Sequence, residues 1–336
     1  MIISFTGDIC LGDVDKYTTT PFKNIGDKLS HLNCVVNLEA PFLPNNYQEY
    51  PVKSKVSLMS YNDSVIFLKQ INPILVNLAN NHINDFGNFG AENTKYILHK
   101  NGLNYLGAGL PNEDHNLYIF EKEKIIFLSY VTRSVDLSGS KLFEDDGFIG
   151  PKEYSLPLVK KQIVPFTDFK KVVLFHWGIE DFHYPLPEQV ETGRSLIDAG
   201  VDLVIGNHPH VIQSFERYKG KWIFYCLGHL YFPHYLSKYL NKKGEEKAYL
   251  DYHDKKRKIS IIPVIRFDEG GIELVEIMTI KTKDNFEPYF VKSIPKYNIF
   301  LFKNINSYRA AYMVLRRINY LLHLPIRFLR KIVKLF

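Results

Sequence analysis

Three cysteines in 336 residues, Cys10, Cys34 and Cys226, are too few, and of the wrong parity, to make a disulfide framework. They are expected as reduced, buried thiols. No run of about 18 uncharged apolar residues occurs, so no membrane-spanning helix is expected. The N-terminus, MIISFTGDIC, lacks a basic segment leading into an apolar one and enters a strand at once, so no signal peptide is expected. Internal repeats and low-complexity tracts are missing too. What is present is a globular composition, 46% hydrophobic and 23% charged, with enough chain to bury a large core. The net charge of +6 could suggest an anionic partner, but it is concentrated late in the chain.

The order of residue types repeats one pattern: a β-rich run, a polar or glycine-bearing tip, then a helical stretch. Ile2 to Thr6, Asn33 to Leu38, Pro73 to Leu78, Lys171 to Phe175 and Asp202 to Ile205 read as buried strands. Gly87 to Lys100 and Val190 to Ala199 read as helices, the second with Gly200 suited to its C-cap. Leu117 to Phe120 with Lys124 to Tyr130, and Ile259 to Phe267 with Ile272 to Ile280, read as hairpins, and Trp222 to Leu227 as a strand. Asn241 to Lys258, charged and glycine-interrupted, reads as an exposed excursion. Strands alternating with helices predict an α/β fold with its site at the carboxyl ends of the strands.

The polar tips carry the chemistry. Asp8, Glu39, Asn81, His176, His208 and His210 each follow an apolar strand, and each side chain can ligate a metal. A structural account exists for every one separately: a turn aspartate, a buried pair partner, a turn asparagine, a satisfied core histidine. Their shared position makes the joint reading stronger. In DLVIGNHPH, two imidazoles stand two residues apart at the mouth of one strand and can reach one small volume. Carboxylate, amide and imidazole together suit one or two borderline divalent cations, manganese, zinc or iron.

The succession GDICLG, NLEAP, LANNHINDFG, HWG, GNHPHV and YCLG resembles the capsule-synthesis and poly-γ-glutamate-synthesis (CapA-type) family, a branch of the calcineurin-like metallophosphoesterase fold, over roughly Met1 to Leu230. The resemblance implies two facing β-sheets flanked by helices, with a metal centre at their edges. It implies that Asp8 and His210 hold one metal, that Glu39 bridges, and that Asn81, His176 and His208 hold a second. His82 matches the histidine that protonates the leaving group, with Asp85 expected to fix its tautomer. Where the enzymes carry a further histidine two residues after the first aspartate, this chain has Cys10, expected as a small buried residue. Asn80, Trp177, Glu180 and Asn207 are expected to contact substrate, and Asp181 and His183 to line the same cleft or to be solvated. A cation there would supply a water acidic enough to attack at neutral pH, and the leading chemistry is hydrolysis of a phosphate ester. The other reading is a non-catalytic accessory subunit of a polymer-synthesis complex.

Residues 1–290 are expected to form this domain and 291–336 an extension. From Ser307 onward no acidic residue occurs. Arg309, Arg316, Arg327, Arg330 and Lys334 fall on one helical face, and Val314, Ile318, Leu321, Leu322, Phe328, Leu329 and Ile332 on the other. Such a helix suits an anionic membrane surface, or packs on the domain; Pro325 would split it. Nucleic acid is not an expected partner, because no basic face is visible in the main domain. The expected location is cytoplasmic, on the inner membrane face, with an anionic or polymer-precursor substrate.

Overall fold

The computed structural model describes residues 1–12, 20–51, 57–135, 147–241, 243–251, 255–292 and 305–322. The first third of the chain alternates β1 (Ile2–Ile9), α1 (Gly26–Ser30), β2 (Cys34–Leu38), β3 (Phe42–Leu43), β4 (Ser60–Tyr61), α2 (Val65–Lys69), β5 (Pro73–Asn77), α3 (Gly87–Lys100) and β6 (Tyr105–Leu106). The middle holds β7 (Leu117–Phe120), β8 (Ile125–Val131), α4 (Leu156–Ile163), β9 (Lys170–His176), α5 (Pro187–Asp198), β10 (Leu203–Asn207), β11 (Phe215–Tyr218) and β12 (Lys221–Phe224). Then come β13 (His229–Tyr231), β14 (Tyr235–Leu240), β15 (Glu246–Asp251), β16 (Ile259–Asp268), β17 (Gly271–Thr282), β18 (Pro288–Val291) and α6 (Ile305–Leu322).

Two sheets face each other. One runs β18-β17-β16-β1-β2-β5-β6, with β13 also paired to β1; the other runs β11-β12-β10-β9-β8-β7. The period of two along each central strand explains why both faces are apolar. Ile3 and Phe5 of β1, Val35 of β2, Val172 and Leu174 of β9, and Leu203 and Ile205 of β10 meet between the sheets. Their neighbours Val36 and Leu38 turn outward onto a layer with Leu29, Leu68 and Ile97 of the helices. Val173, Phe175 and Val204 turn outward on the other side, against Val159, Val190 and Leu196. Each such side chain contributes about 1.5–3 kcal/mol when fully buried. The result is the metallophosphoesterase-like sandwich that the motifs implied, with helices on its outer faces.

Within Asn241 to Lys258, residues 243–248 are exposed on a ribbon separate from the two sheets, as an excursion would be, but Glu246–Asp251 is ordered into a strand. β14 and β15 pair antiparallel from Tyr235–Asp251 to Leu240–Glu246, so charges such as Lys238 and Glu246 alternate along a two-stranded ribbon. Arg257, just after it, is buried.

The C-terminal helix packs on the domain through its first turns, while the side chains of Ile318, Leu321 and Leu322 lie outside the described residues. Tyr308 and Tyr312, four residues apart, share one buried face. Tyr308 Oη donates to Pro185 O at 2.7 Å, and the Tyr312 ring meets Phe182 edge-on at 5.5 Å. Met313 and Val314 remain exposed on the opposite side. Residues 323–336, including Pro325, Arg327, Phe328, Leu329, Arg330, Ile332 and Lys334, lie outside the described residues. Among the described residues, no helix is long and apolar enough to cross a membrane.

One close approach holds β1 against the segment that leads into β13. A Cβ on Gly7 would stand 1.9 Å from Gly228 O, against the strand that runs into β13. Gly7→Ala must therefore push β1 and β13 apart. It is expected to cost about 3 kcal/mol or more, measured as a lowered urea midpoint with an unchanged m-value.

Candidate metal centre

Strand exits from both sheets converge at one edge of the sandwich. Asp8 sits at a bulge in β1, where the register to β2 and to β13 shifts. That shift turns its carboxylate toward the second sheet. Asp8 Oδ1 accepts from Asn37 Nδ2 at 2.8 Å, and Oδ2 accepts from His210 Nδ1 at 3.0 Å and from the His208 amide at 3.3 Å. Asn37 Oδ1 in turn accepts from Asn77 Nδ2 at 3.0 Å, and Asn77 Oδ1 accepts from Ser129 Oγ at 2.5 Å. This chain of buried amides ties Asp8 across the interior to β8 of the facing sheet.

Glu39 follows β2, its amide donating to Ile9 O at 2.9 Å. Its Oε1 lies 3.5 Å from His210 Nε2, 3.7 Å from His176 Nε2 and 4.0 Å from His82 Nε2. Among the described residues, neither carboxyl oxygen of Glu39 has a hydrogen-bond partner, although both are buried. His176, at the end of β9, places Nε2 2.9 Å from Asn81 Oδ1 and 3.1 Å from His208 Nδ1. His208 and His210 both have positive φ, 98° and 60°, either side of Pro209. Side chains other than glycine rarely adopt that conformation, and here it aims two imidazoles into the same space.

The electrostatics depend on burial. Removal from water pushes the Asp8 carboxyl up to about 7, against the opposing hydrogen bonds from Asn37 and the His208 amide. Burial, then the nearby Asp8 charge, pushes Glu39 well above the carboxylate range. Burial, then neighbouring imidazoles, holds His176 and His208 well below the usual histidine value. They are neutral, with lone pairs to give. An orphaned carboxylate ringed by neutral imidazoles and a carboxamide oxygen is a donor set that fits a borderline divalent cation. Two groups of donors lie close enough to share an ion: Glu39 with His208 and His210, and Asp8 with His210 and His229.

All six expected ligands therefore meet. His82 joins them, donating from Nδ1 to Asp85 Oδ2 at 2.7 Å, while the same oxygen accepts the Leu58 amide at 2.7 Å. Cys10 packs with Ala40, Leu58 and Phe232 and belongs to neither donor group. Of the four expected substrate contacts, Trp177, Asn80 and Asn207 are placed elsewhere and Glu180 stays at the rim. Trp177 is fully buried, stacked on Phe175 at 4.2 Å with Nε1 donating to Tyr225 O at 2.8 Å, so its ring is core. Asn80 pins its own loop, donating to Leu38 O at 2.9 Å and accepting the His82 amide at 3.0 Å. Asn207 lines a cavity between the sheets with Thr6, Asn37 and Asn77, because the period of two along β10 turns it inward. Glu180 is at the rim, 3.6 Å from Arg257 Nη2.

Asp181 also faces Arg257, whose Nε and Nη2 donate to its two carboxyl oxygens at 2.6 and 2.7 Å. His183 Nδ1 donates to Ile212 O at 3.0 Å. Arg257 and His229 escaped the sequence reading. His229 had a signal, since it follows an expected strand as the candidate ligands do; Arg257, in a charged stretch, had none.

A two-sheet sandwich carrying aspartate, glutamate, asparagine and histidines at its strand exits defines a metallophosphoesterase-like protein. The chain belongs to the bacterial capsule synthesis protein PGA_cap family, which matches residues 2–234. It is 28% identical over 282 residues to the capsule biosynthesis protein CapA of Bacillus anthracis, covering 79% of this chain and 66% of that one. It is 30% identical over 269 residues to the PGA biosynthesis protein CapA of Bacillus subtilis, covering 75% and 67%. A probable polyglutamine synthesis accessory protein of Mycobacterium tuberculosis is 26% identical over 216 residues, 58% of this chain and 54% of its own length. The matches thus span about two thirds of the Bacillus proteins and about half of the mycobacterial one.

Without a cation, folded Asp8 keeps up to about pH 7 a proton that the unfolded chain releases near 3.8. The folded state then binds more protons, so this carboxyl's contribution to stability falls as pH rises across that window. Asp8→Asn cannot lose that proton. In chelator it is expected to gain on the wild type between about pH 4 and 7, by about 1.4 kcal/mol for each unit of pKa difference. With manganese(II) the order should reverse; denaturant melts in both conditions check it.

Proposed function

We propose that this protein is a metal-dependent hydrolase of the phosphoesterase type, acting on an anionic precursor in capsule or polyglutamate synthesis. The observation that carries the proposal is Glu39, a buried carboxylate without a hydrogen-bond partner, within 4.0 Å of imidazole nitrogens from His82, His176 and His210. Asp8, Glu39, Asn81, His176, His208 and His210 would hold one or two cations, manganese, zinc or iron. A cation held there supplies a water able to attack at neutral pH and offsets charge growing on the oxygen of the breaking bond.

The chain's own groups do the rest. Asp85 fixes the His82 tautomer with hydrogen on Nδ1, which turns Nε2 toward Glu39 and the site. In its protonated form His82 gives the Nε2 proton to the leaving-group oxygen. The Asn37–Asn77–Ser129 chain holds Asp8 in position, so no reorganisation is needed when charge develops. Glu180, half exposed at the rim beside Arg257, keeps the approach to the site polar.

A panel of phosphomonoesters and phosphodiesters with added manganese tests this. His176→Ala is expected to abolish turnover, and His82→Asn to lower kcat by about 10²–10⁴-fold while metal content is unchanged. Bound metal with no turnover across the panel would favour the accessory role that the mycobacterial relative's name carries.

Residues 291–336 form, in this proposal, an extension that touches an anionic membrane or a synthesis complex. Exposed Met313 and Val314, with the exposed Arg316 and Arg317 on the same helix, support it. Deletion from Ser307 should release the protein from anionic liposomes; retention of the truncated chain would reject the membrane contact.

A further inference from the structure

β1 is flanked by different strands along its length. At its start, Ile2 to Ser4 pair with β16. At its end that neighbour is gone and β13 takes the place, with Asp8 directly opposite His229 in a parallel register. The Asp8 amide donates to Gly228 O at 3.0 Å and the Cys10 amide to Tyr231 O at 2.8 Å, which locks the register. Residues opposite each other on neighbouring strands lie about 5 Å apart and face the same way. His229 is accordingly next to Asp8, buried, with its ring centroid 4.5 Å from that of His210.

Ligand atoms of Asp8, His210 and His229 all lie within 4.8 Å of one another. The other such group, Glu39, His208 and His210, overlaps it at His210 alone. Among the described residues, the two groups extend from His210 in different directions. One lies toward His176, His208 and Asn81, the other toward β13. Two imidazoles and one carboxylate form a set suited to manganese, iron or zinc. Resting on the metal-centre reading above, we infer that His229 is a metal ligand, completing with Asp8 and His210 a second cation position beside the one gathered around Glu39, His176 and His208.

The His229 ring also lies against Phe232 at 4.4 Å, nearly parallel, so a purely packing role has to be separated from ligation. His229→Phe preserves a ring and removes both nitrogens. The full chain is stripped with chelator, reloaded with manganese(II), and read by elemental analysis and by electron paramagnetic resonance. Wild type is expected to hold two equivalents with an exchange-coupled signal. His229→Phe should hold one, with an isolated-ion signal and an unchanged far-ultraviolet circular dichroism spectrum. His229→Ala, smaller and without a donor atom, serves as a second variant if the phenylalanine does not fold, with the same expectation. Two coupled ions retained in a folded variant would overturn the role of His229 and leave the metal-dependent reading intact. No manganese in the wild type would overturn both.

Discussion

A carboxylate taken out of water must be neutralised, hydrogen-bonded or given a counter-charge, and Asp8 and Glu39 are both fully buried. The rest of the molecule is arranged around that constraint. Asp8 is satisfied by amides that reach from β1 through β2 and β5 to β8, so the two sheets are joined by polar contacts as well as by apolar packing. Glu39 is left without such partners and is surrounded by imidazoles instead. The two carboxylates thus differ: one is oriented by the scaffold, and the other faces imidazoles in a donor group that could hold a cation.

Most of this was legible in the residue order because a buried strand followed by a polar tip is a strong local signal. β5, β9, β10 and α3 stand close to where hydrophobic patterning puts them, and their tips bring Asn81, His176, His208 and His210 together. What patterning could not supply was which way a tip side chain faces. Asn207 and His208 are adjacent, yet one enters the space between the sheets and the other the metal centre, because backbone strain begins between them. Trp177 follows a ligand directly and still belongs to the core. His229 depends on the pairing of β13 with β1, a contact between distant segments that no local pattern encodes.

The family match ends at residue 234, but the sheet does not. β16, β17 and β18 extend the first sheet beyond β1, and Arg257 reaches back to Asp181 and Glu180 at the rim of the site. Arg257 is nearly as buried as the ligands, and its charge is felt by Asp8 and Glu39. The later third of the chain therefore contributes to the electrostatics of a cluster whose candidate ligands come from the matched region. The C-terminal helix contributes packing through Tyr308 and Tyr312 while leaving Met313 and Val314 to solvent.

Asp8 and His210 are hydrogen-bonded across 202 positions of sequence, and the strand beside Asp8 comes later still. Loops of that length close late, after local helices and hairpins have formed. During synthesis on a ribosome, the aspartate emerges long before the histidines it must meet. The donor group of Asp8 and His210 is therefore complete only once both sheets have come together.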